Sequence, residues 1–404
     1  VAAVSPARRA AYETLLRVFE QDAYADRAFR TAAKELDDRE RAFAQRLAYG
    51  AVQRVRTLDH AIETLGKRPV RKLDPPVRAA LRLGAYQLGY TDTAPHAAVN
   101  ESVELVRGAR LERAVPFTNA VMRRLTEGMR GLLGSLPEGP LKESYPDWIH
   151  DVFVRDLGTA GAVALERAMN EPLETVVRVV RGTPPVGAEP TDVPGAYRID
   201  RVPDGLVEAG RIWPQSRGSQ VAGLALQSQA GERILDLCAA PGGKTAQLQG
   251  DVTAVELDRG RASELRANLV TLRHKATVVE ADGTDLPPEL TGFDRVLLDA
   301  PCSGLGVLAQ RPDLRWRARP LPELQAALLR TAAERVKPGG TIVYSVCTVN
   351  ADENEAVVDA SGLTVDPTLA EEWPQFVHPR RPEFLLTLPH VHGTSGFFVS
   401  RLTA

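Results

Sequence analysis

The chain has only three cysteines in 404 residues, at positions 238, 302 and 347, and no two form a Cys-x-x-Cys pair. That scarcity argues against a disulfide framework and fits a reducing compartment. No His-x-x-x-His pair accompanies them, so the ligand spacings of a zinc site are missing and no metal is expected. Uninterrupted apolar runs stay far short of the ~20 residues that span a bilayer, so no membrane segment is expected either. The opening stretch, Val1-Ala-Ala-Val-Ser-Pro-Ala-Arg-Arg9, lacks the apolar core of a secretory leader, and a cytoplasmic location is the expectation. An excess of charge of one sign is lacking as well: 50 Lys and Arg stand against 52 Asp and Glu. What is present, 44% hydrophobic and 25% charged residues, describes a soluble globular protein. Its length exceeds one ordinary core, so two or three domains are expected.

The near-zero total charge hides an asymmetry. Residues 1–130 hold 23 Lys and Arg against 16 Asp and Glu, an excess of +7, and the remainder carries −9. A basic module joined to an acidic one points to a polyanion partner, although a solvated Arg-rich surface gives the same count. Residues 1–130 read as an all-helical domain. Ser5-Pro6 supply an N-cap and a first-turn proline, followed by Ala11, Leu15, Leu16, Val18 and Phe19 at helical spacing. Asp37-Asp-Arg-Glu40 has the form of a capping box, and Asp74-Pro75-Pro76 opens a third helix. His96, in the turn Ala94-Pro95-His96, has no partner that would make it catalytic.

Gly128 to Pro140 is rich in Gly and Pro, so residues 131–145 are expected to be a linker and residues 146–213 a small α+β connecting module. From residue 214 to 404 strands and helices alternate, which predicts an α/β domain with a doubly wound, mostly parallel sheet. Strands are expected at Arg233–Cys238, Val252–Leu257, Ala276–Ala281, Arg295–Asp299, Thr341–Val346 and Gly396–Leu402, with helices near 244–249, 259–273, 322–337 and 351–360. In such sheets ligands gather beyond the carboxyl ends of the strands.

Three of those ends carry a cofactor signal. Cys238-Ala239-Ala240-Pro241-Gly242-Gly243-Lys244 follows the first strand, and its glycines allow close backbone approach to a ligand at an expected helix N-terminus. A phosphate loop is the alternative, since Gly243-Lys244-Thr245 matches its end and Val296-Leu-Leu-Asp299 could imitate a Mg²⁺-binding strand. Cys238 stands where the first glycine of that pattern would be. Glu256 ends the second strand, placed for ribose hydroxyls, and Asp282 follows the third, placed for an adenine amino group. The ordered set of turn and two acids is the arrangement of an S-adenosylmethionine site.

The next two ends carry Asp299-Ala-Pro-Cys302 and Cys347. A lone strand-end cysteine is usually a small core residue, but two beside an Asp-Ala-Pro turn suggest covalent chemistry on an aromatic ring. C5 of cytosine is a poor nucleophile; a thiolate added at C6 makes it an enamine-like carbon able to attack a sulfonium methyl group. The C5 proton must then leave, which calls for a second group as base, and an acid near N3 would assist the addition.

With these segments, Asp236-Leu-Cys-Ala-Ala-Pro-Gly-Gly-Lys-Thr245 and Leu298-Asp-Ala-Pro-Cys-Ser-Gly304, the chain resembles the RNA cytosine-5 methyltransferase family. Arg311-Pro-Asp-Leu-Arg-Trp316 and Asp352-Glu-Asn-Glu355 match further family segments. Ala94-Pro-His-Ala-Ala-Val-Asn-Glu101 and Phe117-Thr-Asn-Ala-Val-Met122 resemble the NusB-like RNA-binding domain of the RsmB (Sun, Fmu) branch, which acts on small-subunit ribosomal RNA. The resemblance implies a Rossmann-like catalytic domain preceded by a NusB-like bundle. It implies Cys347 as the nucleophile on C6, Cys302 as the thiol that takes the C5 proton, and Asp299 against the base and the methyl donor. Cys238 to Lys244, Glu256 and Asp282 would hold S-adenosylmethionine, with Lys244 also near the nucleotide. The chain departs from the family pattern at Ser216, Val346, Thr348 and Ser395, and an asparagine usual in the Val176–Val180 run is missing. None of these deletes a catalytic group. An RNA-binding scaffold with a retired catalytic domain and a transfer RNA methyltransferase are the competing readings; both thiols being intact speaks against the scaffold.

Overall fold

The computed structural model describes residues 4–404; Val1 to Ala3, the start of the stretch inspected for a leader, lie outside the described residues. Two compact units form. One comprises the chain up to Asn170 together with Leu308–Arg317, and the other comprises Glu171–Val307 with Ala318–Ala404.

The first unit is all helical. Its main helices are Pro6–Glu20, Ala25–Ala32, Asp38–Gln53, Val55–Gly66, Pro75–Tyr90, Pro95–Gly108, Val115–Ser135 and Asp147–Ala168. Pro stands in the first turn of four of them, where its missing N–H costs nothing. Asp37 caps its helix by accepting from the Glu40 backbone N–H at 2.8 Å, but the expected box is only half closed, because Glu40 reaches instead to the Ala7 N–H. Ser5 likewise gives its hydroxyl to Glu101 rather than capping its own helix. The core is rich in alanine, with Ala44, Ala48, Ala51, Ala61 and Ala80 fully buried, so helices approach closely. Gly50 marks the closest point: a Cβ there would lie 2.0 Å from the Tyr86 hydroxyl.

The expected linker at 131–145 is not a linker throughout. Helix Val115–Ser135 runs on through Gly128, Gly131 and Gly134, and a short helix follows at Pro140–Glu143. Met122, Leu125, Met129, Leu132 and Leu133 keep a helical apolar stripe against the core, and that burial outweighs the roughly 1 kcal/mol each glycine costs. The expected connecting module is divided, its helix Asp147–Ala168 belonging to the helical unit.

A piece of later chain completes this unit. Arg315 is fully buried, donating to the carbonyls of Gln53, Glu143 and Met169 at 3.4, 3.4 and 3.0 Å and lying 4.0 Å over the Tyr145 ring. Trp316 donates to the Val52 carbonyl at 2.7 Å. Gln53 and Val52 end one helix and Met169 caps another, so a cation here satisfies carbonyls that have no helical partner.

The second unit starts with an antiparallel four-stranded sheet of order β2-β3-β1-β4, formed by β1 (Val176–Val179), β2 (Glu189–Pro190), β3 (Ala196–Arg198) and β4 (Ile212–Pro214). Its residues Val176, Val193 and Ala196 share one apolar cluster with the larger sheet. That sheet contains β5 (Arg233–Leu237), β6 (Asp251–Glu256), β7 (Thr277–Glu280), β8 (Phe293–Asp299), β9 (Val336–Val346), β10 (Thr364–Val365), β11 (Leu385–Thr387) and β12 (Phe397–Thr403). The order is β10-β12-β9-β8-β5-β6-β7, with β11 on β12; β9 to β7 run parallel and β12 is antiparallel. Helices cover it, so Ile234 to Leu237 of β5, Val296 to Leu298 of β8 and Ile342 to Val346 of β9 are buried, as in strands covered on both faces. β9 starts before its expected bound because Val336 already pairs with Phe293, ahead of an irregularity in β8. The strand order reverses between β6 and β8, at β5. Gly50→Ala is expected to lower the stability of the helical unit by about 1–3 kcal/mol through overpacking; in thermal melts, Tyr86→Leu added to it should recover part of the loss.

Candidate active site

Five parallel strands bring the predicted residues to one edge. The glycine turn Cys238 to Lys244 leaves β5, Glu256 ends β6, Asp282 lies just past β7, Asp299 ends β8 and Cys347 follows β9. Register does the fine placement. Leu237 pairs with Leu298, and Asp299 pairs with Ser345, so turn, acid and thiol finish at one level.

The turn is held from outside. Cys238 takes a left-handed φ of 61°, and Gly242 has φ 99°, which only glycine adopts without strain. Arg261 donates to the Ala240 carbonyl at 3.0 Å, Asn268 to Pro241 at 2.8 Å, and Arg178 to Gly243 at 3.1 Å and Ala246 at 3.3 Å. Glu256 accepts from the Ala240 N–H at 3.3 Å. No α-helix follows: Thr245–Gln247 is a single 3₁₀ turn, which corrects the helix expected at 244–249 and removes the helix-dipole argument made for it. The chain cannot continue helically because Leu248 is extended. The Thr245 hydroxyl donates to Asp236 at 2.6 Å, so it is not presented to a metal–phosphate group, and the phosphate-loop reading loses its last element.

Arg178 and Gln215 were missed by the sequence reading. Arg178 donates from Nε to Gln215 at 3.1 Å, and Gln215 donates to Gln247 at 2.7 Å, so the two brace the turn from β1 and the end of β4. Burial lowers the Arg178 guanidinium to about 10, which leaves it charged at neutral pH. The available signal was a single charge inside the β-branched run Val176-Val-Arg-Val-Val180. Ser216, one of the departures, caps helix Arg217–Leu224 by accepting from the Ser219 N–H.

Carboxylates crowd this edge. Burial pushes the Asp236 carboxyl up to about 7, with Asp299 and Glu256 adding to the rise and Thr245 and Lys244 opposing it. Burial, with Glu256, Asp299 and Asp236, pushes the Cys238 thiol up to about 12. Asp282 is exposed and accepts both the backbone N–H and the hydroxyl of Thr284 on one oxygen, which holds it below the usual carboxylate range. Its other oxygen makes neither of these bonds.

Lys244 Nζ bonds Asp299 Oδ2 at 2.8 Å and lies 5.0 Å from the Phe397 ring centroid; Ser345 donates to Asp299 Oδ1, also at 2.8 Å. The sulfurs of Cys302 and Cys347 are 3.4 Å apart, both half-buried. Their ionisation diverges. The hydrogen bond between the two thiols lowers the Cys347 thiol, helped by Lys244 against burial and Asp299. The same bond, with burial and the negative charge of Glu353, raises Cys302 well above its ordinary value. The two thiols are thus distinguished: the thiolate form is favoured at Cys347 and disfavoured at Cys302.

Two sets of matches bear on this geometry. Residues 223–403 match the family described as 16S rRNA methyltransferase RsmB/F, and residues 5–127 match the NusB family. A Synechocystis sp. protein described as a probable ribosomal RNA small subunit methyltransferase B is 34% identical over 98% of this chain and 99% of its own length. The chain belongs to the RsmB family of ribosomal RNA small subunit methyltransferases. The ribosomal RNA small subunit methyltransferase B of Salmonella paratyphi A is 31% identical over 98% of each protein. The crystal structure of PH0851 shares the fold over all of both chains, with a TM-score of 0.83 and 23% identity. As an RsmB-family protein, the chain is an S-adenosylmethionine-dependent RNA methyltransferase.

The edge fits that cofactor. Glu256 stands at the end of the strand beside the turn, bonded to the Ala240 N–H, and Leu257 after it is 67% exposed. Among the described residues of this RsmB-family chain, no group of three or more His, Cys, Asp or Glu could hold a metal ion, and no helix is long and apolar enough to cross a membrane. The thiol pair gives a pH-dependent expectation. In alkylation followed by mass spectrometry, Cys347 reacts at the lowest pH of the three cysteines. In Cys302→Ala, which removes the hydrogen bond that lowers Cys347, its profile moves to higher pH.

Proposed function

We propose that the chain methylates C5 of a cytosine in small-subunit (16S) ribosomal RNA, through a covalent bond between Cys347 and C6 of the base. The observation that carries this reading is the pair of thiols 3.4 Å apart at neighbouring strand ends, oppositely shifted and beside Asp299 and Lys244.

The Cys347 thiolate adds to C6 and makes C5 electron-rich. S-adenosylmethionine, when bound, supplies an electrophilic methyl group at that carbon. The residues that would hold it are the turn Cys238 to Lys244 with Glu256, Asp282 and Asp299. Asp299, oriented by Lys244 and Ser345, meets the N3 and amino edge of the base, and a proton taken up from solvent is held between the carboxylate and N3 as addition proceeds. Once bonded to C6, the Cys347 sulfur is a neutral thioether and a poor acceptor. Cys302 then loses the contact that most favoured its protonated form. It releases its proton to solvent, takes the proton from C5, and the C6–sulfur bond breaks to return the Cys347 thiolate.

Attack from above the ring requires a base out of its stack, which suits RNA loops and bulges. The +7 excess in residues 1–130 and their match to the NusB family support phosphate contacts by the helical unit. Methyl transfer to unmodified 16S ribosomal RNA, small subunits and transfer RNA, followed by bisulfite mapping, tests the substrate; incorporation only into transfer RNA overturns the ribosomal assignment. Cys347→Ala is expected to abolish transfer, and Cys302→Ala to accumulate a denaturation-resistant protein–RNA adduct. An adduct formed by Cys347→Ala instead would reverse the two thiols.

A further inference from the structure

Behind the two cysteines lies a carboxylate that the reaction above does not use. Glu353 is fully buried, yet among the described residues no Lys, Arg or His pairs with it. Five neutral donors bond it instead. Its Oε1 accepts from the Ser303 N–H at 2.9 Å, the Leu321 N–H at 3.1 Å and the Gln325 amide at 3.0 Å. Its Oε2 accepts from the Ser303 hydroxyl in a short bond and from Asn350 at 3.3 Å, and lies 3.5 Å from the Thr348 hydroxyl. Ser303 Oγ, whose proton goes to Glu353, accepts in turn from the Thr348 hydroxyl at 2.9 Å. A buried charge without a counterion is costly, and a neutral network could tie these loops together at less cost.

We propose that Glu353 is a positioning residue for methyl transfer, fixing the spacing of the two thiols by holding Ser303, which in turn holds Thr348, so that one carboxylate anchors the residue that follows each cysteine. Ser303 follows Cys302 and Thr348 follows Cys347. Gln325 extends the clamp by donating also to the Pro301 carbonyl at 2.9 Å, on the other side of Cys302. The loops are joined a second time by the Gly306 N–H on the Cys347 carbonyl, so Glu353 trims an existing junction rather than creating it. Its charge faces Cys302, whose other titratable neighbours are Cys347 and Tyr344; Asp299 and Lys244 act on the Cys347 side. Glu353 thereby keeps the proton on Cys302 until Cys347 has bonded to the base. The Thr348 departure fits this role, since threonine keeps the hydroxyl that meets Ser303.

The inference rests on the two-thiol reading, and one set of variants separates them. Glu353→Gln keeps the size and removes the charge; Glu353→Asp keeps the charge and loses reach. Cys302 alkylation in the full chain without RNA is expected to shift down by about one unit in Glu353→Gln and much less in Glu353→Asp. kcat at neutral pH is expected to fall about tenfold in both, with KM for RNA and S-adenosylmethionine within about twofold. An unshifted Cys302 profile with wild-type kcat in folded Glu353→Gln overturns the proposal. If the Glu353 variants do not fold, Ser303→Ala decides: kcat lowered severalfold at constant KM supports it, and unchanged kcat overturns it. If the wild type methylates no RNA, the two-thiol reading fails, while the alkylation profiles still decide the role of Glu353.

Discussion

The alignment of β8 on β9 is the constraint on which the site depends. Asp299 faces Ser345 across that ladder, so the chain leaving each strand carries its cysteine to the same place within a few residues. Side chains alternate between faces along a strand, so a slip of one residue would move Ser345 off Asp299 and send the following loop elsewhere. Buried apolar residues on both strands, Val296 to Leu298 and Ile342 to Tyr344, prevent that slip, because every alternative register disturbs a packed core. The sheet interior thus sets the contact between two sulfurs at its rim.

From that contact a chain of bonds leads back to the cofactor turn. Ser345 and Lys244 hold the two oxygens of Asp299, and Lys244 ends the turn whose carbonyls are held by Arg178, Asn268 and Arg261. The three cysteines show what this arrangement does electrostatically. All have the same side chain and all stand at strand ends, yet Cys238 is pushed up by burial among carboxylates and Cys302 is raised by its partner thiol. Only Cys347 is lowered. A low-dielectric site crowded with acids would ordinarily suppress every thiolate. Here one thiol makes the other usable.

The helical unit is a different case of dependence on distant chain. Arg315 and Trp316 close the ends of helices that precede them by more than a hundred residues. Burial of Arg315 is tolerated because three carbonyls and the Tyr145 ring replace water around it. Burial still lowers its guanidinium to about 10, far enough from neutral pH for it to remain a cation.

By itself the sequence determined the alternation of strands and helices, the edge to which the polar residues belong, and the identity of the turn, the acids and the two thiols. These follow from local signals: apolar runs, glycines and prolines, and spacing along the chain. Helix Val115–Ser135 was read as ending at its glycines because composition registers the breakers but not the core that Met129 and Leu133 reach. The tertiary structure alone decided which thiol is lowered, that Arg178 braces the turn, that no helix follows it, and that Glu353 lies behind both cysteines. Each of these is set by groups dozens of residues apart in sequence, and both ionisation and hydrogen bonding depend on distances that only the folded chain defines.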